Sequence, residues 1–250
     1  MKALITGASS GIGLEMAKYL AKLKYELILV SRDRKQLESL QETLPTKVTI
    51  VVADLSLEQK VKELYVLTKP EEIDILINCA GFGDFGYFTE TDLNKELNMI
   101  DTNIRAVHIL TKSFLKDMEK RNYGYILNVA SSAAFQPGPL MATYYATKSY
   151  VYQLTEALNY EEKKKKKNVV VSVLCPGPVD TNFNNVAGVH FGIKPLKPDY
   201  VAKYALEKMF KGKMLIIPGA MMRMAKFIDR FISDKTKLYW TYRIQKKKIN

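Results

Sequence analysis

Short apolar runs alternate with helix-length amphipathic segments along almost the whole chain. That alternation restricts the fold more than any other feature. Runs at 3–6, 26–31, 47–53, 73–78, 125–130, 169–175 and 213–218 predict strands. Segments 10–23, 34–44, 57–68, 92–121 (in two pieces), 143–166 and 199–210 predict helices. Runs such as Leu27-Ile28-Leu29-Val30 and Val169-Val170-Val171 are apolar on both faces, as a parallel sheet covered by helices on each side requires. The expected class is α/β: a doubly wound, Rossmann-type parallel sheet of seven strands with helices on both faces. No linker, low-complexity stretch or repeat divides the 250 residues, so one domain is expected, with 219–250 as a helical C-terminal extension. A hydrophobic content of 47% is enough for a large core.

Several classes are set aside. No apolar run approaches the ~18 residues needed to span a bilayer. The start, Met1 to Gly7, runs straight into a strand and a glycine and lacks a leader pattern, so a cytoplasmic location is expected. Cys79 and Cys175 are too few for a disulfide framework, and at the ends of predicted strands they read as small hydrophobes. His108 and His190 have no Cys/His/Asp cluster around them, so no metal site is expected. His108 falls in an apolar helical pattern and reads as a packed residue. The adjacent pairs Glu71/Glu72 and Glu161/Glu162 do not share a helix face and are not acid/base dyads. The net charge of +12 is partly local, in Lys163–Lys167 and Lys246–Lys248. These read as a solvated helix end and a frayed terminus. No nucleic-acid reading motif accompanies them.

The first strand leads into Thr6-Gly7-Ala8-Ser9-Ser10-Gly11-Ile12-Gly13, with a helix following. Glycines there let the backbone turn tightly and approach a pyrophosphate, to which the helix N-terminus offers unpaired N–H groups. The second strand ends at Val30-Ser31-Arg32-Asp33. An acidic group at that tip hydrogen-bonds the ribose of NAD, whereas an arginine accommodates the 2′-phosphate of NADP. Asp33 stands three residues before Gln36 in a capping arrangement. Asp33 is therefore read as a helix cap, Arg32 as the phosphate ligand and NADP(H) as the cofactor.

Farther along, Tyr144 and Lys148 stand four apart in a predicted helix, on one face. A tyrosine titrates near pH ~10, and lowering that to about 7 takes roughly 4 kcal/mol. A neighbouring ammonium works in that direction.

With these motifs in their order, namely Thr6 to Gly13, Asp54, Asn78-Cys79-Ala80-Gly81, Asn103, Ser131, Tyr144-Tyr145-Ala146-Thr147-Lys148 and Pro176-Gly177 through Thr181, the chain resembles the short-chain dehydrogenases/reductases over roughly 1–220. The resemblance selects Tyr144 over Tyr145 by the four-residue spacing to Lys148. It selects Ser131 over Ser132 by the thirteen-residue spacing to that tyrosine. It implies Tyr144 as general acid/base, Ser131 as the group holding the substrate oxygen, and Asn103 as part of a proton relay through water to Lys148. It further implies cofactor contacts by Gly7, Ser9, Ser10, Gly11, Ile12, Gly13, Ser31, Arg32, Asp54, Leu55, Asn78, Ala80, Gly81, Tyr144, Lys148, Pro176, Gly177, Val179 and Thr181. Where the family has a second asparagine this chain has Cys79, a position expected to point into the core.

The expected activity is hydride transfer between NADPH and a small-molecule carbonyl or alcohol. Candidate walls for the substrate are Phe82, Phe85, Phe135, Pro137, Leu140, Met141, Phe183, Val186 and Phe191, which suit an apolar ketone or aldehyde. A homodimer or homotetramer is expected from the resemblance. Two other readings stand beside this one: an inactive dinucleotide-binding sensor or scaffold, and a membrane-surface reductase of lipid metabolism. In the last segment Met221, Met224, Ala225, Ile228, Phe231 and Ile232 recur at helical spacing among basic residues. A helix packed over the substrate site or a neighbouring subunit is preferred there to one lying on an anionic membrane.

Overall fold

The computed structural model describes residues 1–183 and 194–246. Seven strands form one sheet: β1 (Lys2–Thr6), β2 (Glu26–Ser31), β3 (Val48–Val52), β4 (Ile75–Asn78), β5 (Gly124–Val129), β6 (Val169–Leu174) and β7 (Leu215–Ile216). Every pairing is parallel, in the order β3-β2-β1-β4-β5-β6-β7. The helices are α1 (Gly11–Lys22), α2 (Arg34–Thr43), α3 (Glu58–Thr68), α4 (Leu93–Ile100), α5 (Val107–Arg121), α6 (Ala142–Lys164), α7 (Pro198–Phe210), α8 (Ala220–Ile228) and α9 (Asp234–Lys246).

Side chains alternate across a strand, and here both faces are apolar. Ile5, Leu29, Ile77 and Leu127 pack with Met16 and Leu20 of α1 and Val201 and Leu206 of α7. Leu4, Ile28, Leu76 and Ile126 pack on the other face with Val61 and Leu64 of α3 and Leu110 and Phe114 of α5. A strand buried on both sides has no polar face, which explains the unbroken apolar runs in the sequence.

The strand order reverses at β1, which pairs β2 on one side and β4 on the other. A crevice at the carboxyl ends of the strands follows at such a switch point. The segment 92–121 is one helical body rather than two pieces. Asp101–Ala106 joins α4 to α5 as a π-helical turn, a local widening often found at functional sites. Asn78 does not project into the crevice. Its Nδ2 donates to Thr111 Oγ1 (3.1 Å) and Asn128 Oδ1 (2.8 Å), and Asn128 Nδ2 donates to Thr155 Oγ1 (3.0 Å). This buried polar layer ties β4 and β5 to α5 and α6 just beneath the site, because buried amides must be paired inside the protein.

Candidate active site

At the switch point Thr6 stitches two loops together. Its Oγ1 accepts from the backbone N–H of Cys79 (3.0 Å) and of Ala80 (3.1 Å). Gly7 lies at φ +67, and a Cβ there would come within 2.8 Å of the Ala80 backbone. A Cβ on Gly13 would meet the Gly7 carbonyl oxygen at 2.4 Å, and one on Gly11 the Thr181 side chain at 3.1 Å. The loops after β1, β4 and β6 thus meet with no room for side chains between them. Ser10 caps the start of α1 without a side-chain hydrogen bond, so the first amides of the helix face the crevice uncapped. Such a backbone cradle at a helix N-terminus fits a dinucleotide pyrophosphate. Ser31 Oγ donates to Ser9 Oγ at 2.8 Å, holding the tip of β2 against the glycine loop.

Beyond Ser31 lies a hollow of about 250 Å³ lined by Arg32, Val52, Ala53, Asp54, Leu57 and Lys60. Asp33 accepts from the Gln36 N–H at 3.0 Å and caps α2, the position its spacing implied. Asp54 turns the chain by accepting from both the N–H and the hydroxyl of Ser56. The Leu55 side chain is buried in the core. Lys60, which motif reading passed over, adds a second cation to the hollow. The available signal was a lysine in the first turn of the helix after β3. It bonds Glu63 at 2.8 Å, one helical turn on.

At the other end of the crevice α6 presents Tyr144 and Lys148 one turn apart, both almost fully buried. Lys148 Nζ lies 5.8 Å from the Tyr144 ring centre and donates to the Val129 carbonyl at 3.0 Å. Burial pushes the Tyr144 phenol well above its usual pKa, and the neighbouring Ser131 hydroxyl, which accepts from the Ala133 N–H at 3.1 Å, pulls it back part of the way. Burial also pushes the Lys148 ammonium down to about 8. The rival Tyr145 points elsewhere: its hydroxyl accepts from Gln245 Nε2 of α9 at 2.8 Å. Asn103, in the π-helical turn, is fully buried. Its Nδ2 donates to the Phe82 carbonyl (2.9 Å) and Thr147 Oγ1 (3.1 Å), while its Oδ1 accepts from the Phe82 N–H (3.2 Å). Asn103 therefore pins the loop after β4. Gly81 presses on the same place: a Cβ would meet Asn103 Oδ1 at 2.9 Å and Lys148 Nζ at 3.2 Å.

Met99, Ala133, Met141, Phe82, Phe85 and Phe183 pack around Tyr144, with the Phe183 ring 5.3 Å from the Tyr144 ring. Leu140 is buried at φ +67 and receives the Gly86 N–H. Phe135 and Pro137 do not join this wall. They line a separate groove of about 580 Å³ with Tyr145 and Leu238. The reason is the C-terminal segment: Phe135 packs with Tyr152 and Met222 and lies under Lys226, facing α8. Val186 and Phe191 fall outside the described residues. The Pro176 carbonyl receives the Ser132 N–H, Val179 bridges Leu196, and Thr181 Oγ1 accepts from the Phe183 N–H. Gly177 is the seat of Met222. His108 is half-buried, its Nδ1 2.7 Å from the Tyr150 hydroxyl across α5 and α6. Burial pushes the thiols of Cys79 and Cys175 up to about 11 and 12, which makes them poor nucleophiles. Among the described residues no cluster of His, Cys, Asp and Glu is placed to hold a metal, and no helix is long and apolar enough to cross a membrane.

Known proteins share this fold. The short chain dehydrogenase family model matches residues 1–188. An uncharacterized oxidoreductase of Staphylococcus epidermidis is 32% identical over 192 residues, 76% of this chain and 82% of that protein. 17-beta-hydroxysteroid dehydrogenase type 3 of Mus musculus is 35% identical over 186 residues, 72% of this chain and 60% of that one. Among solved structures, a short-chain dehydrogenase from Sphingobium yanoikuyae in complex with NADPH superposes with a TM-score of 0.83 at 27% identity, covering 92% of this chain and 93% of the other. A short chain dehydrogenase/reductase from Burkholderia phymatum in complex with NAD gives 0.82 at 25%, covering 91% and 92%. A backbone cradle at the switch point, a buried tyrosine over a lysine beside it, and a family match across three quarters of the sequence lead to one conclusion: the chain belongs to the short-chain dehydrogenase family of nicotinamide-dependent oxidoreductases.

Proposed function

We propose that the protein is an NADPH-dependent reductase of apolar ketones or aldehydes. The observation that carries this reading is the buried Tyr144 phenol, beside Ser131, with the Lys148 ammonium 5.8 Å from its ring centre and walled by Phe82, Phe85, Met141 and Phe183 at the edge of the cradle. A water-poor pocket with one hydroxyl pair at its floor suits a substrate whose only polar group is its carbonyl. Hydroxysteroids, on which the mouse relative acts by name, are compounds of that kind.

A bound nicotinamide would supply the hydride for the carbonyl carbon. The glycine loop and the first amides of α1 would hold the pyrophosphate, and Arg32 with Lys60 would meet the 2′-phosphate. The remaining work falls to the chain's own groups. Ser131 donates to the substrate oxygen and fixes its position. Tyr144 gives its phenolic proton to that oxygen as the alcohol forms. Lys148, titrating near neutrality, returns a proton to the tyrosine. The Asn103 side chain is committed to Phe82 and Thr147, so its share in a relay falls to the backbone of the widened turn. A homodimer or homotetramer belongs to the same reading, and light scattering measures it.

The test is NADPH consumption with a panel of apolar ketones and aldehydes. Tyr144→Phe is expected to lower kcat at least about a hundredfold with NADPH affinity kept, while Tyr145→Phe stays within about threefold. Binding of NADPH without turnover of any carbonyl by the wild type sinks the reductase reading and favours a dinucleotide sensor.

A further inference from the structure

The last two helices are mounted the opposite way round from ordinary surface helices. A surface helix turns its apolar stripe to the core and its charges to water. At about 100° per residue, Met221, Met224, Phe227, Ile228 and Phe231 share an arc of roughly 120° on α8 and the 3-10 turn (Asp229–Phe231) after it. That arc faces solvent: Phe231 is 76% exposed, Met224 63% and Phe227 60%. The opposite arc makes the contacts with the body. Met222 seats on Gly177, Lys226 Nζ lies 4.2 Å from the Phe135 ring centre, and Arg223 donates to the Ile217 carbonyl (3.2 Å) and the Tyr204 hydroxyl (3.3 Å). α9 follows suit. Thr241 and Gln245 are buried against Gln136 and Tyr145, which leaves Tyr239, Trp240 and Ile244 more than half exposed.

The charge of the same segment identifies what covers this face. Residues 219–250 contain nine Lys or Arg and two Asp, so they carry +7 of the chain's +12. Arg223, Arg230, Lys235, Arg243 and Lys246 are exposed beside the apolar residues. Apolar and aromatic side chains on one face with lysines and arginines around them match a bilayer interface, where acyl chains lie under anionic headgroups. Tyr and Trp are the residues that settle at headgroup depth. A second copy of the chain fits less well, since a two-fold contact through this face would oppose one +7 segment to another.

We propose that α8 and α9 form a docking face for an anionic lipid bilayer, on which the protein lies without crossing it. The apolar arc enters the acyl boundary and the basic residues rest among the headgroups. From sequence a helix packed over the substrate site or a neighbouring subunit is preferred, whereas the inner arc of these helices packs on Gly177, Phe135 and Tyr145. The outer arc takes the lipid.

Trp240 is the single tryptophan of the chain, so tryptophan fluorescence of the full-length protein, excited at wavelengths that tyrosine does not absorb, reads this face alone. Phosphatidylcholine vesicles with about a third phosphatidylglycerol should shift its emission to the blue, and brominated acyl chains should quench it. Phosphatidylcholine alone should not, and high salt should reverse the binding. Phe227→Glu with Phe231→Glu should weaken partitioning about a hundredfold, since each ring leaves the acyl boundary. NADPH affinity and thermal midpoint stay unchanged in that variant, which separates loss of docking from loss of fold. No shift with anionic vesicles overturns the proposal, as does an equal shift in the double variant. A vesicle-free doubling of mass that the double variant abolishes also overturns it, by making the face a self-contact.

Discussion

Lys148 sits in a pocket with no carboxylate to hold its charge. Burial against the end of β5 lowers its pKa to about 8 from an ordinary 10.5. In the unfolded chain the ammonium keeps its proton to near pH 10.5, whereas in the folded chain it gives it up near 8. Between those values the unfolded state binds more protons, so the unfolding free energy rises with pH. The thiols of Cys79 and Cys175, pushed up from 9.0, act in the opposite direction above pH 9, which makes 8 to 9 the clean interval. There the wild type should gain about 1 kcal/mol relative to Lys148→Met. Urea unfolding of both proteins at pH 8 and pH 9 measures it, and parallel pH dependences would mean that Lys148 is not desolvated as described. At this scale the grouping of Ser131, Tyr144 and Lys148 at one end of the crevice was legible, because two spacings, Ser131 to Tyr144 and Tyr144 to Lys148, agree on the same tyrosine. The contacts of Asn103 were less legible. Its bonds run to the Phe82 backbone, and no sequence spacing reports a contact with a main chain twenty-one residues away.

Element boundaries follow from local chemistry where a cap is present. Two residues beyond the end of β2, Asp33 begins α2 by accepting from the Gln36 N–H, so its carboxylate is engaged at a helix start. Asp33→Ala should therefore cost about 1 kcal/mol of stability, the usual loss on removing an N-cap. On the proposal that Arg32 meets the 2′-phosphate, affinity for NADPH should change less than about twofold. Paired denaturation and binding titrations distinguish this from a ribose ligand, whose loss would weaken binding with little change in stability. Elements without such a signal were read less well. The run 213–218 yields only Leu215–Ile216 as a strand, since it lies at the sheet edge and Pro218 has no N–H to offer a ladder. The 92–121 helix is continuous because a π-helical turn absorbs the irregularity that the sequence pattern placed as a break. Phe135 and Pro137 were assigned to the substrate wall, yet the 3-10 turn Ser132–Phe135 leads Phe135 toward α8, and Pro137 lines the groove with Leu238 of α9. Which side of a short turn meets which helix is settled by tertiary packing, and periodicity says nothing about it.

For the molecule as a whole, the sheet was legible because burial on both faces leaves no choice but long apolar runs between amphipathic helices. The C-terminal pair was not, because its apolar residues recur at helical spacing whether they face the core or the solvent. Cofactor choice is also a property of the whole fold, since the hollow is assembled from β2, the end of β3 and the start of α3. Anything that binds the folded state alone stabilises it by RT ln(1 + [L]/Kd), about 2.7 kcal/mol at a hundredfold excess over Kd. For a chain of this length that corresponds to a rise in Tm of about 5 °C. At one fixed concentration, set a hundredfold above the Kd for NADPH, NADPH should give that rise and NADH a markedly smaller one. Two cations, Arg32 and Lys60, face the hollow and its single carboxylate is turned toward Ser56. A 2′-phosphate gains from both cations, whereas a bare ribose hydroxyl gains from neither. Arg32→Ala should remove most of the difference between the two cofactors, and adding Lys60→Ala should remove the rest. Equal rises with NADPH and NADH in the wild type would overturn the assignment of Arg32 and show that the hollow recognises adenosine without its phosphate.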